Sequence, residues 1–342
     1  MRQLRWAHPG HAEDRSAHDA GALQVVDLDG RIFLTGMYCD SDGHNRVDLR
    51  DAASGEVIDA HYHYKQWWNA PADHFTGFSG PDGTYILYKR PRGSGYCVKR
   101  VTPNGFEFIE DAVPEDDGAF FEVGPAVLDG RLTILTCDER TARFREWRNG
   151  DHVLRIWTAP EGWADPSPMS IGGRPCLWLS HDGPEHITRL WDPTSDKPVG
   201  PPFLVRGYRW GPWMLNLRPV ALFKVDWRDF QLWDLGRREP CGPGLGDLEL
   251  KNPSVGLIHG RPALAGTVGR ALQLWDIPTG RLINATALPD TPIATAIGST
   301  STAWAVTTTG HIGKLTIKPA EIHPAARGHG ANSPPITGET VS

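Results

Sequence analysis

One pattern recurs along the chain and constrains its fold more than any other feature. Thr188-Arg189-Leu190-Trp191-Asp192, Phe230-Gln231-Leu232-Trp233-Asp234 and Leu272-Gln273-Leu274-Trp275-Asp276 align directly, with their aspartates 42 residues apart each time. A further 42 residues lands on Lys318, at the end of the alternating run from His311. Backwards, the same slot falls at Arg148, Val101 and Asp51, so the seven slots are separated by 50, 47, 44, 42, 42 and 42 residues. Self-similarity at such a period belongs to repeat architectures, where a unit buries its apolar faces only against its neighbours. Before each slot lies a second apolar run: 31–37, 84–88, 131–136, 175–179, 221–225, 262–267 and 302–307. Many are introduced by a reversal signal such as Asp29-Gly30, Pro81-Asp82-Gly83, Asp129-Gly130 or Gly172-Gly173, residues that accept positive φ. After several slots comes a further short strand, at 57–60, 106–109, 153–157 and 282–288. Four short strands per unit, with almost no helical periodicity, is the pattern of an all-β chain folded as one β-propeller.

In Trp191-Asp192, Trp233-Asp234 and Trp275-Asp276, and in their 42-residue spacing, the chain resembles the WD-repeat family. The resemblance is strong over the last four units and weak over the first three, where the dipeptide reads Arg50-Asp51, Arg100-Val101 and Trp147-Arg148. It implies a seven-bladed propeller of four-stranded antiparallel blades over residues 1–318. No unit opens with the family's Gly-His pair, so packing is expected to replace part of the polar pinning between strands. The seventh unit supplies three strands, near 293–297, 302–307 and 313–318. Residues 2–7 form an orphan strand ahead of the first unit, and the resemblance implies that they close the ring as the outer strand of blade 7, removing an open edge. Residues 319–342, polar and rich in proline, read as a disordered tail.

Composition narrows the class. The chain has 342 residues, 35 basic and 41 acidic side chains and a formal charge of −6, without a basic block, so nucleic acid is not an expected partner. Hydrophobic residues make up 39%, too many for a disordered chain, yet no run of about 18 apolar residues is present to span a membrane. The first twenty residues are charged and His-rich, with no apolar segment of a secretory signal. Cys39, Cys97, Cys137, Cys176 and Cys241 are odd in number and include no C-x-x-C pair; four lie in or beside apolar runs, as small buried hydrophobes do. Together these point to a cytoplasmic protein with reduced thiols. Arg outnumbers Lys and Ala, Gly and Pro are abundant, the bias of a high-GC bacterial genome.

Catalytic signatures are scarce: there is no His-Glu-x-x-His, no Gly-x-Ser-x-Gly and no phosphate loop. His61 and His63 flank Tyr62 on one side of an extended segment, about 7 Å apart by strand rise. With His181 and His186 they are the candidates for acid–base work or for a zinc site, though no complete ligand set is identifiable and no cofactor is expected. The more informative residues fall in the stretches that, by the resemblance, surround one mouth of the propeller channel. These are Tyr64, Lys65, Trp67 and Trp68, then Trp163, then Tyr208, Arg209 and Trp210 with Trp213, then Trp227 and Arg228. Trp, Tyr and Arg desolvate large areas and keep a polar handle, which enriches them in binding hot spots. The first reading is a non-enzymatic scaffold presenting this aromatic, Arg-rich face to a protein or peptide. The second is a small-molecule binder or enzyme with its pocket at the same mouth. A sugar binder is a third, disfavoured by the absence of an export signal. A ring closed on itself needs no mate, so a monomer is expected.

Overall fold

The computed structural model describes residues 22–39, 45–63, 75–80, 82–89, 95–112, 122–171, 174–181, 187–200, 202, 207–216, 218–225, 229–246, 248–298, 301–307, 309, 311–319 and 339–341. The described chain is all-β, with 28 strands in seven four-stranded sheets. Blade 1 comprises β1 (Ala22–Leu28), β2 (Arg31–Cys39), β3 (Asn45–Asp51) and β4 (Val57–His63). Blade 2 is β5 (Phe75–Gly80), β6 (Gly83–Lys89), β7 (Tyr96–Thr102) and β8 (Gly105–Ala112). Blade 3 is β9 (Glu122–Leu128), β10 (Arg131–Cys137), β11 (Thr141–Glu146) and β12 (Asn149–Thr158). Blade 4 is β13 (Trp163–Ile171), β14 (Arg174–His181), β15 (Thr188–Asp192) and β16 (Lys197–Pro198). Blade 5 is β17 (Gly207–Leu215), β18 (Arg218–Val225), β19 (Asp229–Asp234) and β20 (Glu239–Pro240). Blade 6 is β21 (Lys251–Ile258), β22 (Arg261–Val268), β23 (Ala271–Asp276) and β24 (Arg281–Ala287). Blade 7 is β25 (Pro292–Ile297), β26 (Thr302–Thr307), β27 (Ile312–Thr316) and β28 (Glu339–Val341).

Every sheet is a simple antiparallel meander in chain order, the architecture of a seven-bladed β-propeller. The expected second strands are all present. Their apolar runs are continuous because both faces are covered: β10 is buried from Thr133 to Cys137, β14 from Pro175 to Ser180 and β22 from Ala263 to Thr267. The third strands alternate instead, as in Asp229–Asp234, because one face is better covered than the other. Asp29-Gly30 and Asp129-Gly130 make the anticipated hairpin reversals, with φ of 56° and 82°, and of 50° and 76°.

The chain divides into two compact units. Residues 1–72 with 247–342 hold blades 1, 6 and 7, whose first strands β21, β25 and β1 pack side by side. Leu272, Leu274 and Leu288 of blade 6 meet Ala303, Ala305 and Leu315 of blade 7, and Trp304 of blade 7 meets Leu23 and Leu34 of blade 1. Residues 73–246 hold blades 2 to 5, with Tyr85 and Tyr96 packed on Val123 and Ile134, Phe144 and Trp157 on Leu177 and Leu179, and Trp178 on Phe223. Cys97, Cys137 and Cys176 are buried, as expected, and burial pushes the Cys176 thiol up to about 12.

The seventh blade corrects one expectation. Its fourth place, assigned from sequence to residues 2–7, is taken by Glu339–Val341, with Val341 opposite Ile312 and Glu339 opposite Lys314. Residues 2–7 lie outside the described residues, and the stretch 319–342 is therefore not a tail throughout. The cost of closing a loop grows only slowly with its length, so a distant strand with β-branched Thr340 and Val341 can fill an edge that a short turn fills elsewhere.

Two devices stand where the Gly-His network is missing. The first lies within a blade. An arginine opening the second strand reaches the aspartate closing the third: Arg31 to Asp51 at 2.7 Å, Arg261 to Asp276 through two bonds of 2.9 and 2.8 Å, and Arg218 to Asp234 at 3.8 Å. The same aspartates cap the following turn, Asp51 accepting the Ala53 and Ser54 amides at 2.8 and 2.9 Å. The Ser54 amide, then Arg31, holds the Asp51 carboxyl below the usual carboxylate range despite its burial.

The second device links neighbouring blades of the second unit. The turn between third and fourth strands of one blade bonds the outer segment of the blade before it, at a separation of 38 or 39 residues. The Arg148 amide donates to Glu110 at 3.1 Å, Arg155 to the Thr194 carbonyl at 3.0 Å, Trp157 Nε1 to Asp196 at 2.8 Å and Arg238 to the Val199 carbonyl. At the first of these latches a Cβ on Gly150 would run into the Tyr96 hydroxyl and the Glu110 carboxylate, so the approach requires glycine.

Candidate functional site

Blade 4 brings two of the sequence candidates together. Trp163 is the first residue of β13 and stands directly opposite His181, the last of β14. Cross-strand partners project from the same face of a sheet, and the two rings meet edge to face with centroids 5.2 Å apart. Arg189 on β15 lies opposite Leu179, two residues from His181, and its guanidinium carbon sits 5.5 Å from the centre of the Trp163 ring. All three side chains are half-buried. Behind them lies the core between blades 3 and 4, including Cys137, Trp157, Ala159 and Leu179.

The neighbouring chain of blade 3 completes the surroundings. Pro160 offers its carbonyl both to the Trp163 amide, at 3.1 Å, and to the Arg140 guanidinium, at 3.2 Å. Asp138 binds Arg143 at 2.6 Å and caps its own turn through the Arg140 and Thr141 amides. These bonds outweigh its burial and hold the Asp138 carboxyl below the usual range.

The remaining candidates are placed as follows. Tyr64, Lys65, Trp67, Trp68, His186, Trp227 and Arg228 lie outside the described residues. Tyr208, Arg209 and Trp210, expected in a loop, belong to β17 opposite Lys224, Phe223 and Leu222, a correction that fits the preference of aromatic residues for strands. Trp163 is likewise a strand residue. Trp213 follows a register shift at which Gly211 has φ of 96°, and the Trp213 ring packs against that glycine. His61 faces Asp59 at 3.6 Å on β4, which also carries the backbone of His63. Among the described residues, no group of three or more His, Cys, Asp and Glu side chains is arranged to hold a metal ion. No helix among them is long and apolar enough to cross a membrane.

Arg189 itself was not singled out from the sequence, although a signal was there. In the three aligned repeats it occupies the slot that Gln231 and Gln273 fill in blades 5 and 6. Gln231 accepts the Nε1 proton of Trp233 at 3.1 Å, a task of local packing that arginine has no acceptor to perform. Val225 and Val268 end the second strands where blade 4 ends with His181. Among the three aligned repeats, His181 and Arg189 are therefore particular to blade 4 and are not demanded by the Leu-Trp-Asp signature.

No protein-family model matches the chain, and no curated protein sequence matches it. Among solved structures, it is similar to BBS1N crystallised in complex with ARL6DN and soaked with mercury, with a TM-score of 0.59 at 9% identity, covering 89% of this chain and 93% of that one. The lead-soaked crystal of the same complex gives a TM-score of 0.58 at 10% identity over 89% and 94% of the two chains. The likeness is one of fold, and that fold is the seven-bladed β-propeller.

Proposed function

We propose that this chain is a non-enzymatic, protein-binding scaffold, a divergent bacterial member of the WD-repeat family working in the cytoplasm. The observation that carries the reading is the Trp163–His181–Arg189 cluster, an aromatic and arginine group that the repeat does not require, of the residue types that dominate binding hot spots. Its setting adds support, since the neighbouring propeller BBS1N is described in complex with another protein, ARL6DN. Kinship with the WD-repeat family is supported by Asp192, Asp234 and Asp276, each of which binds the turn that follows it. The cytoplasmic setting is supported by the free, buried thiols of Cys137 and Cys176.

The binding residues, in this proposal, are Trp163 with Tyr208, Arg209, Trp210, Trp227 and Arg228 of the second unit and, separately, Tyr64, Lys65, Trp67 and Trp68 of the first. The test is affinity capture with three baits: wild type, a Trp163→Ala/Trp210→Ala/Trp227→Ala variant, and an Ile156→Thr variant on the outer strand β12. A defined protein held by wild type and by Ile156→Thr, and lost from the triple variant while its fold is retained, is the expected result. Equal retention by all three baits would remove these residues from the interface.

A further inference from the structure

Arg189 is a half-buried cation that finds no acceptor among the described residues. A guanidinium carries five N–H donors. Its Nε is buried without a hydrogen-bond partner, and among the described residues the side chain makes no hydrogen bond and no ion pair, only the stacking contact with Trp163. Buried polar groups are nearly always satisfied, so an exception calls for a missing acceptor. Three other arginines of blades 3 to 5 each reach an acceptor: Arg143 binds Asp138, Arg155 binds the Thr194 carbonyl, and Arg238 binds the Val199 carbonyl. Arg238 is also held below the usual arginine value, chiefly by burial and then by the charge of Arg189. The charge of Arg189 is thus felt by a second cation while no carboxylate of the described residues is paired with it.

We propose that the Trp163–His181–Arg189 cluster is an anion site that receives the carboxylate of an acidic side chain on a protein partner. Arg189 supplies the ion pair, and the Trp163 ring, 5.5 Å from its guanidinium carbon, holds the cation by a cation–π contact. That contact uses no N–H group, so the guanidinium keeps its donors for the fork geometry that a carboxylate matches. A single carboxylate fits better than a phosphate: one guanidinium is available, and the exposed Glu139 and Glu161 flank the turns beside it. The inference deepens the scaffold reading and rests on it for the kind of partner.

The experiment is fluorescence anisotropy with a labelled peptide rich in Asp and Glu, beside its Asn/Gln counterpart of the same length. The proteins are wild type, Arg189→Gln, Arg189→Lys and Arg174→Gln, the last removing an exposed charge at the start of β14, and each is checked for fold by circular dichroism. The expected result is binding of the acidic peptide alone, weakened at least about tenfold by Arg189→Gln, less by Arg189→Lys, and unchanged by Arg174→Gln. Equal binding of the two peptides, no binding to wild type, or equal losses for Arg189→Gln and Arg174→Gln would overturn the proposal. So would competition by inorganic phosphate as strong as by unlabelled peptide, which would mark a small-anion site instead. The two readings fail separately. A captured protein that Arg189→Gln retains and the triple tryptophan variant loses removes the anion site and leaves the scaffold. An acidic peptide held through Arg189, with no protein captured, does the reverse.

Discussion

Blades 4 and 6 carry the same Leu-Trp-Asp signature and use it differently. In blade 6 the repeat is closed on itself: Arg261 grips Asp276 through two bonds, Trp275 is only 4% exposed, and the outer strand β24 runs for seven residues. In blade 4 the aspartate is satisfied by its own turn, through the Thr194 amide at 2.8 Å and the Ser195 hydroxyl at 2.9 Å, with no arginine on it. Its tryptophan, Trp191, is half-buried and shares Asp196 with Trp157, and its outer strand β16 has two residues. The signature therefore fixes a turn and leaves the rest of the blade free to be spent elsewhere. Blade 6 uses that freedom for stability, whereas blade 4 carries an arginine with no acceptor among the described residues.

The contrast can be broken most strongly at the tryptophans. Trp275→Ala should cost about 3–5 kcal/mol by opening a cavity, while Trp191→Ala, at a half-buried site, should cost clearly less. Matched denaturant melts decide it, and equal losses would mean that the two blades rely on the slot alike. Next, Arg261→Gln should destabilise by about 2 kcal/mol, since it leaves the nearly buried Asp276 charge without its counter-ion at a rim that water still partly reaches. In blade 4, Arg189→Gln, which installs the glutamine that blades 5 and 6 carry in this slot, should leave the unfolding free energy within about 0.5 kcal/mol of wild type or raise it, because it removes a desolvated donor that has no acceptor among the described residues. A large loss on Arg189→Gln would show that the stacking on Trp163 is structural.

The smallest expected effect is a pH slope at the latch between blades 2 and 3. Burial raises the Glu110 carboxyl above its ordinary value, against the Tyr96 hydroxyl, at 2.9 Å, and the Gly150 and Arg148 amides that favour its charged form. The folded chain then holds this proton more tightly than the unfolded chain. The contribution is fully present below the ordinary glutamate value and is lost as pH rises through the raised, folded one. Wild type should lose a little stability over that interval, and Glu110→Gln should not. Asp138 and Asp192, both lowered, act in the opposite sense: their contributions are present above the ordinary aspartate value and vanish as acid brings the pH down through the folded one. Thermal midpoints of Glu110→Gln and wild type across mildly acidic pH measure the difference.

Much of the fold was legible because it is written in local chemistry. Asp29-Gly30 and Asp129-Gly130 must turn, and the runs around Ile134, Leu177 and Leu264 must be covered on both sides, whatever lies elsewhere. The outer strand of blade 7 was not legible, since an edge accepts any chain segment that can reach it, and the family resemblance pointed to residues 2–7 while 319–342 read as a tail. Tyr208, Arg209 and Trp210 were assigned to a loop by counting from the repeat, yet their own strand preference extends β17 through them. The site was half legible. Trp163 and His181 stood out by type. The lack of an acceptor at Arg189 exists only once Trp163, His181 and the turn at Asp138 have been folded around it.

The latches of the second unit set the phase of the module that can be copied. A segment cut as blade 3, from Glu122 to Thr158, holds Arg155 and Trp157 but neither Thr194 nor Asp196, so it ends on an open seam. A segment from the turn at Trp147 to the next equivalent turn, ending at Asp196, contains both halves of one seam. In the second unit, the segment that holds a whole seam is thus half out of step with the blades. A cut in that phase keeps the Arg155–Thr194 and Trp157–Asp196 bonds inside the copied piece, whereas a cut at the blade boundary severs them.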